Sequence, residues 1–263
     1  MKFVEPKVFM LGYTTVNHDT IAGYLEHIGC PNWETDAPAD SAEELIEIAG
    51  RTCYRSFEPG MNKNVTKVRE GNREYLGNIL KQKHGSVFEH ASVTFAFCDV
   101  SRVFTHEMVR HRLCAFSQES LRYVRLDDLK AYFPRAFADN DQDSGDTQLY
   151  DLFGETFEKA EDVQKQLATL LGLDNMKDFE SKKKLTSAMR RLAPDGLATT
   201  IIVTTNHRNW RHILDLRTSG GAEEEMRLVM RDVAAQLKHT FPNIYQDMEM
   251  FEDGHVEFDN GRI

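Results

Sequence analysis

Residues 91 to 98 alternate strictly: Val93, Phe95 and Phe97 lie on one face, Ser92, Thr94 and Ala96 on the other. A period of two marks a β-strand with one face in a core, so the chain must supply a sheet and something to cover it. A second strand is expected over 197–205 (LATTIIVTT), which is β-branched, and another over 7–16 (KVFMLGYTTV). Helical spacing fills the sequence between them. Ser41 with Glu44 forms a capping box ahead of Leu45, Ile46, Ile48 and Ala49. Thr66 to Lys83 reads as a helix with a Leu76, Ile79, Leu80 stripe and Gly85 as its cap. Residues 100–112 read as helical, and so does the long amphipathic stretch Leu149 to Leu171. A further helix runs to Leu192 and is stopped by Pro194, and two more lie near 207–216 and 222–239, on either side of Gly220-Gly221. Ala136–Thr147 is a polar, acidic loop, and the chain from Glu249 is acidic and poor in apolar residues. This order is α+β. It carries no repeat and no linker, so one catalytic domain over 1–263 is expected.

Charge narrows the function. The net charge is −10, which disfavours nucleic-acid polymers and anionic membranes as partners. No apolar run is long enough to span a bilayer, and MKFVEPKVFML is a poor signal peptide, so a cytoplasmic protein is expected. Cys30, Cys53, Cys98 and Cys114 form no CxxC pair and are expected as free thiols, with Cys98 and Cys114 in the core.

Against that acidic background one run stands out, THEMVRHRLCAFSQESLRYV from Thr105 to Val124. On a continuous helix Glu107, Arg110 and His111 share a face and Arg112 points elsewhere. CAFSQES then reads as a short-sided polar loop ending in Ser120, with Arg122 and Tyr123 just beyond it. Arginine grips phosphate with a planar fork of donors at any pH, so the cluster points to a small anionic ligand. Ser120 is read as a ligand, because as a nucleophile it would need an activating base that the sequence does not place. No GxGxxG or GxxxxGK[ST] occurs, so a Rossmann or P-loop site is unsupported. His84, His90, His106 and His111 lack interleaved carboxylates, so no metal site is expected. Trp210, Ile213 and Leu214 are read as core, Lys182-Lys183-Lys184 as a solvated helix face, and Glu223-Glu224-Glu225 as a helix start.

RHR-x7-S followed by RY resembles the signature of the flavin-dependent thymidylate synthases. Other segments agree in order: RTCYRS (Arg51–Ser56), HGSVFEH (His84–His90), Arg190 with Pro194, and Asn206, Arg208, Trp210, His212 and Arg217. The resemblance spans about residues 45 to 240 and leaves out the acidic loop and the tail. The chain departs from the commoner family form at Ser117-Gln118, where Asn-Glu is frequent, and at Ala115.

The resemblance implies a central antiparallel β-sheet flanked by long helices, the thymidylate synthase-complementing fold. It implies reductive methylation of dUMP to dTMP, with 5,10-methylenetetrahydrofolate as carbon donor and FAD reduced by NADPH as hydride source, in a homotetramer. By position, Glu107, Arg110, Gln118, Glu119, Ser120, Arg122, Arg190 and Arg217 would hold dUMP. Ser86, Arg110, His111, Arg112, Gln118, Asn206, His212 and Arg217 would contact FAD. His84 and Tyr123 would line the pocket where folate and flavin meet, and Arg217, Ser120 and Arg110 would be closest to the chemistry. The competing reading is a metal-dependent nucleotide phosphohydrolase.

Overall fold

The computed structural model describes residues 2–38, 41–123, 129–140 and 148–263, with the main chain alone for 138–140. The elements run in the order β1 (Lys2–Phe3), β2 (Lys7–Tyr13), α1 (His18–Ile28), α2 (Ala42–Tyr54), α3 (Asn72–Lys81), β3 (Ser92–Ser101), α4 (Arg102–Met108) and β4 (Ala115–Gln118). They continue as β5 (Lys130–Ala131), α5 (Arg135–Asn140), α6 (Gln148–Leu170), α7 (Phe179–Met189), β6 (Ala198–Asn206), α8 (His207–Arg217), α9 (Glu224–Thr240), β7 (Met248–Met250) and β8 (Val256–Phe258). Short 3₁₀ turns cover Gly85–Glu89 and Arg190–Leu192. The expected mixture of helix and strand is present. β2, β3, β6 and β4 form a four-stranded sheet in that order, β7 pairs antiparallel with β8, and β1 pairs parallel with β5. Among the described residues no helix is long and apolar enough to cross a membrane.

The chain falls into two compact units, Met1–Phe9 with Ala96–Val203, and Met10–Phe95 with Thr204–Ile263. In the first unit, Leu129, Ala131, Phe157 and Leu197 are buried together under Phe3 and Phe153. The Glu161 carboxylate on α6 accepts the Leu129 N–H at 3.1 Å, which ties the start of β5 to that helix.

The second unit is organised by a buried ion pair on α2. Arg51 meets Glu47 at 2.7 Å, and its guanidinium also donates to the main-chain oxygens of Ser56 and Arg69. Tyr75 flanks the cation at 4.4 Å and Trp33 at 5.5 Å, while Asn72 donates to Glu47. A buried charge persists only when its hydrogen bonds are made, and here the guanidinium binds two turns of main chain in place. α8 contributes Trp210, Ile213 and Leu214, all fully buried as the sequence predicts, and the Trp210 indole N–H donates to the Val93 oxygen at 3.2 Å. Glu223 caps α9 by accepting the Met226 N–H, so the acidic triplet does start a helix.

Several expectations change. The Thr66–Lys83 helix begins only at Asn72, behind Gly71 with φ +80°. Its C-cap is Gln82, followed by Lys83 in the left-handed region (φ +56°); Gly85, expected as the cap, opens the next turn. α4 ends at Met108 instead of running to residue 112. After the Val109 N–H bonds Thr105, the chain tightens: Arg110 bonds Glu107 and His111 bonds Met108, three residues back. The helical face shared by Glu107, Arg110 and His111 therefore does not form as expected. CAFSQES, expected as a loop, contains the edge strand β4, continued by the Glu119 N–H to the Thr200 oxygen at 3.0 Å. Cys98 and Cys114 are half-buried, the buried thiol is Cys30, and none of the four is in a disulfide. Helix α5 occupies the start of the expected acidic loop, and 141–147 lie outside the described residues. The tail is built in: Asp259 N–H bonds the Asp247 oxygen and Val256 N–H bonds the Thr218 hydroxyl.

Candidate active site

The first unit carries Glu107, Arg110, His111, Arg112, Gln118, Glu119, Ser120, Arg122, Tyr123 and Arg190. Ser101 caps α4 by accepting the Phe104 N–H, and Phe104, Thr105 and Met108 anchor the helix in the core. Glu107 is thereby held at the surface boundary, and the turn that follows exposes Arg110 and Arg112. The Gln118 amide donates to the Thr105 hydroxyl at 3.1 Å, so β4 is fastened to α4. The Glu119 carboxylate accepts from the Thr200 N–H at 3.0 Å and from the Thr199 hydroxyl at 3.4 Å, facing β6. Ser120 begins a tight turn in which its Oγ accepts the Arg122 N–H at 3.4 Å and its carbonyl accepts the Tyr123 N–H.

Helix α7 holds this turn from the side. The Thr186 hydroxyl donates to the Arg122 oxygen at 3.0 Å. The Tyr123 ring lies nearly parallel to Phe179, with centroids 6.4 Å apart, and the Lys183 ammonium sits 5.7 Å and 5.9 Å from the two rings. Arg190 follows α7 directly in the 3₁₀ turn. The sequence reading missed Phe179 and Thr186, and took Lys183 for a solvated face. The usable signal was the four-residue spacing of Phe179 and Lys183, which puts both on one side of a helix.

The second unit carries His84, Ser86, Asn206, His212 and Arg217. The Tyr54 hydroxyl lies 2.7 Å from His84 Nδ1, and the two rings stack at 5.6 Å. Tyr54 is the last residue of α2, so the buried Arg51 network below it sets where His84 can go. The sequence analysis quoted the RTCYRS segment but gave Tyr54 no role. Ser86 is exposed in the Gly85–Glu89 turn. Asn206 uses Oδ1 to cap α8, accepting the Asn209 N–H at 2.9 Å, which leaves its amide N–H₂ group for a ligand. His212 is exposed and Arg217 is half-buried in the last turn of α8. Their neighbour His207 is different in kind. Burial first, and then the Arg211 charge, push its imidazole down to about 3, so it stays neutral beside Tyr245.

Arginine forks, a hydroxyl, an amide and imidazoles offer N–H and O–H groups to phosphates and to ring carbonyls. Among the described residues, no three His, Cys, Asp or Glu side chains gather as a metal ion would need.

Residues 37–243 match the family model described as thymidylate synthase complementing protein. The chain belongs to this family. Curated relatives of the thymidylate synthase-complementing family include the flavin-dependent thymidylate synthases of Mycolicibacterium vanbaalenii and Mycobacterium tuberculosis. Each is 34% identical over 221 residues, covering 83% of this chain and 83% of the relative. A solved structure, a UMP/dUMP methylase PolB from Streptomyces cacaoi bound with 5-Br UMP, matches with TM-score 0.60 at 16% identity. It covers 94% of this chain and 95% of that one, a likeness of fold.

Proposed function

We propose that this chain is a flavin-dependent thymidylate synthase that methylates dUMP at C5 to give dTMP, with 5,10-methylenetetrahydrofolate as carbon donor and NADPH as reductant of FAD. The observation that carries the reading is the build of Thr105–Tyr123 in a family member: a capped helix, a tight turn, an edge strand and a second tight turn. Together these expose Arg110, Arg112 and Arg122 on an acidic protein. Such fixed cations favour a compact dianion such as a nucleotide phosphate. The family assignment favours this reading over the metal-dependent phosphohydrolase.

In this reading Arg110, Arg122 and Arg190 grip the phosphate, and Glu107, Gln118, Glu119 and Ser120 orient sugar and base. Ser120 Oγ already accepts a main-chain N–H, which suits a ligand better than a nucleophile. Arg217, with Arg110, stabilises negative charge that develops on the pyrimidine as C5 attacks carbon, as an oxyanion hole does. When bound, FAD supplies the hydride. Ser86, His111, Arg112, Gln118, Asn206 and His212 hold it, and His84 with Tyr123 position the folate.

The chain acts in the cytoplasm as one catalytic domain with a central antiparallel sheet flanked by helices, assembled as a homotetramer. Exposed apolar side chains support assembly: Leu113 is 75% exposed and Leu170 83%. The test is the visible spectrum of the purified protein, then dUMP-dependent NADPH oxidation with formation of dTMP. A colourless protein that FAD cannot reconstitute overturns the reading.

A further inference from the structure

The Gly85–Glu89 turn, which carries Ser86, does not stand alone. The main chain of Ile263 lies against it. A Cβ built on Gly85 would come within 2.4 Å of the Ile263 carbonyl carbon and 2.7 Å of its oxygen. Both are main-chain atoms, so no side-chain rotation relieves the clash. Arg208 joins the same contact. Its Nε donates to the Ile263 oxygen at 2.9 Å, while its NH1 pairs with Glu89 at the other end of the turn. One guanidinium therefore holds both the tail and the turn.

The tail reaches this seat along an ordered path. Arg211, buried on α8, binds the Asp247 carboxylate through both oxygens at 2.7 and 2.9 Å, and Phe258 covers its guanidinium at 4.2 Å. Asn260 donates to Asp247 through its main chain (3.2 Å) and its side chain (3.0 Å). From Asn260 it is a short step to Ile263. The anchor at Asp247 is thus separate from the contact at Gly85. The family match ends at residue 243, so this whole segment lies beyond it.

We propose that Asp247–Ile263 is a positioning element of the flavin site. It sets the Gly85–Glu89 turn, and with it Ser86, through Ile263, Gly85 and Arg208. Gly85 is glycine to admit a main chain against its Cα. Its neighbour Lys83, not Gly85, takes the left-handed conformation. The inference rests on the flavin reading above.

The test is a cycle of two changes: deletion of Gly261–Ile263, which keeps the Asp247–Asn260 anchor, and Gly85→Ala, which displaces Ile263 by clash. FAD dissociation constants are measured for the full chain, each single variant and the double variant, with apo-protein melting temperatures alongside. Each single change is expected to weaken FAD about tenfold. The double variant should be no weaker than the deletion alone, because the added methyl then meets only the Arg208 side chain, at 2.8 Å, which no longer holds Ile263 and can give way. Additive losses, or a deletion that leaves FAD affinity unchanged, overturn the proposal.

Exchange of the Arg208 Nε–H on the apo protein, followed by NMR, separates this from the function. That N–H is held by the Ile263 oxygen, so Gly85→Ala should speed its exchange in the full chain, whether or not FAD binds. Unchanged exchange there overturns the proposal even if the deleted chain does not fold. Failure of the unmodified protein to bind FAD overturns the function instead.

Discussion

Arg217 and Ser120 should fail differently when removed. Arg217 is assigned to charge that appears only as the reaction proceeds. Arg217→Ala is expected to lower kcat by about a hundredfold or more, with dUMP affinity changed less, read by single-turnover kinetics. Ser120 is assigned to binding. Ser120→Ala should weaken dUMP by about three- to tenfold, the worth of roughly 0.5–1.5 kcal/mol for one hydrogen bond, and leave kcat nearly intact. Complete loss of chemistry with dUMP still bound would restore Ser120 as a nucleophile. Tyr54→Phe tests the role proposed for His84. It removes the hydroxyl that holds His84 at 2.7 Å but keeps the stacked ring. The KM for methylenetetrahydrofolate should rise by a factor of about three to ten, with apo stability unchanged, in steady-state assays. An unchanged KM would mean that His84 is oriented by something else. The exposed cluster of Arg110, Arg112 and Arg122 was legible because arginines gather there against the charge of the chain. Tyr54, Phe179 and Thr186 were not, because each acts across a distance in sequence that no local pattern encodes.

At the level of elements, the helices that bury a stripe were the most legible. Leu149–Leu171 was expected and Gln148–Leu170 is found, since an amphipathic period declares itself over six turns or so. The end of α4 was not legible. Arginine and histidine tolerate a helix well, and what stops it is a change from four-residue to three-residue hydrogen bonding. β4 was hidden because an edge strand of short polar residues lacks apolar alternation. The tail was hidden because much of its order comes from contacts distant in sequence, above all one buried carboxylate. Burial pushes the Asp247 carboxyl up, but the Arg211 guanidinium and the Asn260 hydrogen bonds carry it below the usual carboxylate range. A carboxyl whose folded value is lowered adds stability above its unfolded value near 3.8. That stability is lost as pH falls through the lower folded value. Asp247→Ala leaves Arg211 buried and unpaired, at a cost of about 3–5 kcal/mol by urea unfolding at neutral pH. The difference from the parent protein should shrink in strong acid. A difference independent of pH would place the loss in packing instead.

For the whole molecule, the exposed Leu113 and Leu170 predict assembly. Light scattering should give a mass near four chains, and an active monomer would refute the tetramer. The division into units has a different consequence. Neither unit is a continuous stretch: residues 96–203 interrupt the second, whose remaining parts are 10–95 and 204–263. A ribosome therefore emits α2, α3 and the turn bearing Ser86 long before α8 exists to receive them. Their apolar faces must wait through more than a hundred residues of synthesis, at roughly 5–20 residues per second. In the nascent chain the early segment is the natural client for a chaperone, and a pause in translation within 96–203 would prolong that exposure.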